Sequence, residues 1–180
     1  MKVEIHSHTD VHSLCSRMPP RELIAMAEAC GYDAVFVTDH GKIWGRRELA
    51  GLREFCTSVQ VFPGIEIAVD GGIDLLVLGA NDPIYESLTS PSDVFARACA
   101  DGCLTVIAHP FRWNDSMPNF CALADAVEVL TCNHPTPLQA EAAREYAKKM
   151  KMAEVFSSDA HGVNFMNRFW LETDEPFVTP

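Results

Sequence analysis

The segment Val3-Glu4-Ile5-His6-Ser7-His8 reads as a short strand that ends in two histidines. Alternate strand residues share a face, so His6 and His8 aim their imidazoles into one space. Two imidazoles on rigid backbone make half of a metal site. The other histidines, His12, His40, His109, His134 and His161, also fall beyond the C-terminal ends of expected strands, and none falls inside an expected helix. In barrels and open α/β sheets those ends share one face, where the chemistry sits. Carboxylates fall at matching points. Glu66 follows Pro63-Gly64-Ile65, and Asp159 precedes His161 by the same spacing that separates His6 from His8. A His-rich set with a few carboxylates suits Zn²⁺, Fe²⁺ or Mn²⁺ better than Ca²⁺ or Mg²⁺.

The elements that must position these groups alternate along the chain. Strands are expected at residues 3–5, 34–37, 59–62, 65–69, 73–78, 103–108, 126–130, 153–156 and 167–172. The apolar run Ala34-Val35-Phe36-Val37 suits a strand buried on both faces. Pro19-Pro20 opens a first helix with Leu23, Ile24, Ala27 and Cys30 at helical spacing, and Gly31 is placed to end it. A second helix over 46–57 puts Leu49, Leu52 and Cys56 on one face. Ser90-Pro91-Ser92-Asp93 starts a third that ends near Gly102, and Thr136-Pro137-Leu138-Gln139 has capping-box spacing for a fourth. Asp70-Gly71-Gly72 reads as a hairpin turn. Strands alternating with helices predict a mainly parallel sheet in an α/β fold, and residues 1–180 read as one domain.

Composition narrows the class. A hydrophobic fraction of 48% and a charged fraction of 22% are ordinary for a globular protein. No apolar run is long enough to span a bilayer, and no signal-peptide pattern opens the chain. The seven cysteines form no C-x-x-C pair, and Cys30, Cys56 and Cys99 fall at apolar helical positions. Both features point to a reduced, cytoplasmic setting. The formal charge of −11 opposes a broad nucleic-acid footprint.

With these residues in view, the chain resembles the polymerase and histidinol phosphatase (PHP) superfamily. The matching motifs are Ile5-His6-Ser7-His8, Val37-Thr38-Asp39-His40-Gly41, Pro63-Gly64-Ile65-Glu66-Ile67, Ile107-Ala108-His109-Pro110-Phe111-Arg112 and Ser157-Ser158-Asp159-Ala160-His161-Gly162. They occur in the family's order and span nearly the whole chain. The resemblance implies a distorted (β/α)7 barrel of PHP type with mainly parallel strands, holding two or three divalent metal ions at the strand C-termini. It implies His6, His8, Glu66 and Asp159 as ligands of a first metal. Glu66 then bridges to a second metal with His109, and His40 and His161 serve a third. Two departures stand out. Asp74 occupies a place where family members often carry a His, and His134 could compensate. The loop after His8 reads Thr9-Asp10-Val11-His12-Ser13-Leu14-Cys15, so Asp10, His12 or Cys15 would supply a further ligand, with His12 preferred.

Clustered metals lower the pKa of bound water, orient phosphoryl oxygens and offset charge on the leaving oxygen. The expected activity is therefore hydrolysis of a small phosphate ester by a metal-bound hydroxide. Asp39 and Arg112 are the catalytic candidates. Asp39 neighbours a ligand histidine and would orient it or take a proton, and Arg112 suits bidentate contact with phosphate. Arg17, Arg46 and Arg47 are weaker phosphate-binding candidates, and Trp44 and Trp113 are expected to cover the barrel mouth. Two other readings stand beside this one: hydrolysis of a C–N bond at the same centre, and a non-catalytic interaction module with a degenerate site. The chain leaves little length for a cap, so the substrate pocket is either open or completed by another subunit.

Overall fold

The computed structural model describes residues 1–55, 58–134 and 136–179. β1 (Lys2–Glu4) and β2 (Ala34–Val37) pair in parallel across α1 (Pro20–Ala29). Pro20 occupies the first turn of α1, and Gly31 just past its end has a φ of +71°, a left-handed conformation that glycine adopts at little cost. Leu23, Ile24 and Ala27 face inward from α1, and Leu49 and Leu52 do so from α2 (Arg46–Phe55), against Val35, Val37 and Val61. The expected end of α2 at Cys56 and Thr57 lies outside the described residues. Cys30 is half-buried, but Cys99 is exposed, so its thiol does not pack as a core group.

The two strands expected on either side of Pro63-Gly64 are one, β3 (Gln60–Val69). The reason is a change of partner. Residues 60–63 pair in parallel with β2, and residues 64–69 pair antiparallel with β4 (Ile73–Leu78). Pro63 stands at the join, where its missing N–H breaks neither ladder. A side chain at residue 64 would place its Cβ 2.8 Å from Thr38 Cγ2, so the crossing needs glycine. β4 is antiparallel to β3 and also to β5 (Leu104–Ala108), with the turn at Gly71 and Gly72, both at positive φ.

α3 (Pro91–Asp101) precedes β5. β6 (Ala126–Leu130), α4 (Pro137–Met150) and β7 (Ala153–Phe156) then continue the sheet in parallel. A last strand, β8 (Leu171–Glu172), pairs antiparallel with β1. It is shorter than the expected 167–172. Asn167 is spent elsewhere: its N–H donates to the Tyr32 hydroxyl, and its side chain accepts from Lys2 Nζ.

The strand order is β7-β6-β5-β4-β3-β2-β1-β8. The extension of β1 meets the segment after β7: His8 N donates to Ala160 O at 2.9 Å, and Ala160 N to His6 O at 3.1 Å. These bonds curl the sheet into a nearly closed barrel at one rim. No helix joins β3 to β4, and β5 runs to β6 through a loop with one short 3₁₀ turn, which accounts for the distortion. The interior is apolar at its base, filled by Phe36, Phe62, Leu76, Val106 and Val155. Among the described residues, no helix is long and apolar enough to cross a membrane.

Candidate metal centre

Strand alternation carries the apolar base into a polar rim. On β3 the face of Phe62 continues to Glu66, which pairs across from Leu76. On β6 the face of Ala126 continues to Glu128. Past β1, His6 and His8 are fully buried. Each ring is fixed through Nδ1: His6 donates to Glu128 Oε1 at 2.9 Å, and His8 lies 3.3 Å from Ser13 Oγ. A carboxylate only accepts, so the Glu128 contact fixes the His6 tautomer and turns the Nε2 lone pair inward. Ser13 donates its own proton to Asp39 Oδ1 at 2.6 Å, which fixes His8 in the same sense.

Four atoms converge where these lone pairs point. His6 Nε2 lies 3.5 Å from Glu66 Oε2 and 3.4 Å from Asp159 Oδ1. His8 Nε2 lies 3.3 and 3.2 Å from the same two oxygens. All four atoms are buried and lack a hydrogen-bond partner. Stranding four polar atoms in one place is costly unless something binds them all. Ligands about 2.1 Å from a tetrahedral cation sit about 3.4 Å apart, so the donor set and its spacing fit a divalent metal.

Two further groups share these residues. Glu66 Oε1 accepts from His109 Nε2 at 3.0 Å, so the Glu66 carboxylate faces His6 and His8 with one oxygen and His109 with the other. His40, His161 and His8 form the third group, nearer the mouth. The His8 ring centroid is 4.3 Å from that of His40 and 4.2 Å from that of His161. His40 Nδ1 is 2.7 Å from Glu66 Oε2, off the angle of a hydrogen bond, and its side chain is 45% exposed. The backbone is strained at two of these residues: His109 has a φ of 26° and Asp159 a φ of 46°, both unusual for non-glycine residues. Hydrogen bonds hold them there, from His109 N to Glu128 Oε2 at 2.7 Å and from Asn133 Nδ2 to Asp159 Oδ2 at 2.6 Å.

The electrostatics show an excess of negative charge. Burial pushes Glu66 and Asp159 up, but the neighbouring histidines, His6 foremost, outweigh it and hold both well below the usual carboxylate range. Burial pushes His6 down, yet Asp159, Glu128 and Glu66 hold it well above the usual imidazole range. Burial lowers His8. Without a cation, therefore, a proton on His6 takes its place. Glu4, behind His6, is pushed up to about 7 by burial.

The other expected site residues fall differently. Asp74 Oδ2 is 3.9 Å from His109 Nδ1, beyond hydrogen-bond distance and outside the three groups. His12 is not brought to the centre: its Nε2 lies 3.4 Å from Glu48 and its ring meets Trp44 edge-on, because the loop after His8 turns it toward α2. Asp10 and Cys15 also lie outside the groups. Neither does His134 join them. It lines a cavity beside α4, and neither of its ring nitrogens makes a hydrogen bond of normal geometry. Asp39 is fully buried and accepts from Thr9 N, Thr9 Oγ1, Ser13 Oγ and Trp44 Nε1 at 2.6–2.7 Å. Those bonds make it an anchor of the His8 loop and leave it no free oxygen to take a proton. Arg112 stands at the rim, its Nη1 4.0 Å from Asp159 Oδ2 and its guanidinium over Trp113. Trp113 is exposed, and Trp44 is buried against α2.

Sequence reasoning missed Glu128, Ser13 and Asn133. Glu128 had a signal: a carboxylate inside the apolar strand Ala126-Val127-Glu128-Val129 must find donors or a cation.

No family model matches the chain. An uncharacterised protein of Methanocaldococcus jannaschii is 30% identical over 121 residues, covering 62% of this chain and 68% of the archaeal one. Among solved structures, a two-domain protein of Bacteroides vulgatus containing a predicted PHP-like metal-dependent phosphoesterase superposes with a TM-score of 0.71 at 18% identity over 89% of this chain. This chain spans only 52% of that protein's length. A candidate metal-dependent phosphoesterase of Bifidobacterium adolescentis gives a TM-score of 0.68 at 20% identity, covering 89% of this chain and 87% of its own. An amidohydrolase of Chromobacterium violaceum with bound sulfate gives 0.67 at 15%, covering 89% and 88%. The chain thus shares a family with the archaeal protein, and its fold is that of these PHP-like phosphoesterase and amidohydrolase structures.

Proposed function

We propose that this chain is a metal-dependent phosphoesterase acting on phosphate esters of small molecules. One observation carries the reading: four buried, unpartnered ligand atoms from His6, His8, Glu66 and Asp159 converge beneath the rim that bears Arg112. His6, His8, Glu66, Asp159 and His109 would hold two divalent cations, and His40 and His161 a third nearer the mouth; Zn²⁺, Mn²⁺ and Fe²⁺ suit the donors. Bound cations supply Lewis acidity, polarising phosphoryl oxygens and making water nucleophilic near neutral pH.

The chain's own residues do the rest. Glu128 and the Ser13–Asp39 pair hold the imidazoles of His6 and His8 in the tautomer that presents Nε2. Arg112 offers a planar fork to the non-bridging oxygens of the ester and orients it toward the rim. That guanidinium favours a charged phosphate over a neutral amide, which separates this reading from C–N hydrolysis. Retention of His6, His8, His40, Glu66, His109, Asp159 and His161 argues against a degenerate module, and the net charge of −11 favours a small substrate over a polynucleotide.

The test pairs elemental analysis of protein purified without chelators with a panel of phosphate monoesters, diesters and amides. Bound transition metal and monoester turnover are expected, with turnover abolished in His109→Ala. Metal-free protein, or an unchanged rate in that variant, would sink the reading.

A further inference from the structure

We infer that the cavity beside α4 receives the leaving group, and that it selects an apolar, ring-sized body ending in a single anionic group such as a carboxylate. The inference rests on the phosphoesterase reading and names its substrate class. The cavity measures about 670 Å³, the size of a small-molecule site. It adjoins the metal centre on two sides. Phe165, in its wall, meets the His161 ring edge-on at 6.5 Å. His134, also in the wall, follows Asn133, which clamps Asp159. An ester with its phosphate under Arg112 therefore has this hollow within reach of its alcohol portion.

The wall chemistry defines the occupant. Phe165 and Phe169 supply ring faces for an apolar body. Arg144 and Arg168 bring two of the chain's 14 cations to one wall of a protein whose net charge is −11. Arg168 is pinned, its Nε donating to Asn164 O at 3.0 Å. Glu141 also lines the cavity, 3.9 Å from Arg144, so two positive groups and one negative leave one net positive charge. That balance matches a monoanion.

The test compares 4-carboxyphenyl phosphate with 4-methylphenyl phosphate on the metal-loaded full chain, with 3-carboxyphenyl and 4-(carboxymethyl)phenyl phosphate varying the reach. A carboxylate held by an arginine should raise kcat/KM at least about tenfold for the best-fitting ester, mostly through KM. The preference should fall below about threefold in Arg168→Gln, and in Arg144→Gln as a second variant. Equal kcat/KM for every carboxylate ester and the methyl ester overturns the inference, as does a preference that survives both substitutions. If no ester is hydrolysed, the phosphoesterase reading falls separately, and calorimetry with 4-methylbenzoate decides the cavity. Binding that is lost in Arg168→Gln supports it, and no binding at millimolar concentration overturns it.

Discussion

Replacing Glu128 by Gln separates metal ligation from everything else in the centre. Glu128 is fully buried and accepts from three donors: His6 Nδ1, His109 N and Ser157 Oγ. Glutamine keeps the shape but turns one acceptor into a donor. If the new NH₂ takes the Oε2 position, it faces the His109 N–H, and two donors are left without an acceptor. If it takes the Oε1 position, it faces His6 Nδ1, and that nitrogen must accept. The His6 proton then moves to Nε2, the atom 3.4 Å from Asp159 Oδ1, and blocks it as a ligand. Loss of such a backing hydrogen bond costs about 10- to 100-fold in metal affinity, or about 1.4–2.7 kcal/mol. Competition against a chelating dye for Zn²⁺ and Mn²⁺ measures it directly. Melting of the metal-free protein gives the separate folding cost, about 1–3 kcal/mol for a stranded donor. A metal affinity within twofold of the parent, in a variant that folds normally, would refute the tautomer argument.

Three other perturbations follow from the same geometry. Asp39→Ala strands donors on Thr9, Ser13 and Trp44, so urea unfolding should show a loss of roughly 1–3 kcal/mol for each stranded group that water cannot reach. His12→Ala should leave metal content and affinity unchanged by elemental analysis and dye competition, because its ring rests on Trp44 and Glu48. Metal-loaded and chelator-treated protein should melt further apart at about pH 8 than at about pH 6. His6 is raised in the folded state, so its contribution to the metal-free fold is present below the unfolded pKa and lost as pH rises through the folded one. Glu4, raised to about 7, costs stability in the same direction but in both samples, so the gap between the two melting curves isolates the metal.

The residues that the structure gathers at the rim were legible in part because His6 and His8 obey strand alternation. His6 and His8 are separated by the period that puts side chains on one face, whereas Asp159 and His161, past the end of β7, join different groups because Asp159 takes a left-handed φ of 46°. His12 and His134 satisfied the same proximity rule and still missed the centre. A strand end places the start of a loop, whereas the loop's own contacts, here with Glu48 and along α4, decide where later side chains go. The strand break expected at Pro63-Gly64 failed for a related reason: these residues interrupt pairing with one neighbour, and β3 continues by taking another. That exchange is tertiary and leaves no mark in local propensity. Glu128 was readable in principle, since its parity puts it on the face of Ala126, but its donors lie in other strands.

The reversal of β4 explains how the centre gains depth. Four parallel pairings alone would present their C-terminal ends to the rim, and every ligand would stand at one level. An antiparallel β4 brings its first residues upward instead, which sets Asp74 across from Ala108, beside His109. It also holds β3 past the point where β2 ends, so Glu66 projects from within a strand rather than from a loop. Directly across from it is Leu76, part of the apolar base. The dielectric boundary therefore falls within one residue pair of the Glu66 carboxylate. At that boundary water cannot compensate Glu66 and Asp159, and histidine protons alone leave four ligand atoms unpaired. On the proposed reading, a cation would resolve the charge and the stranded atoms together at the one place where both arise.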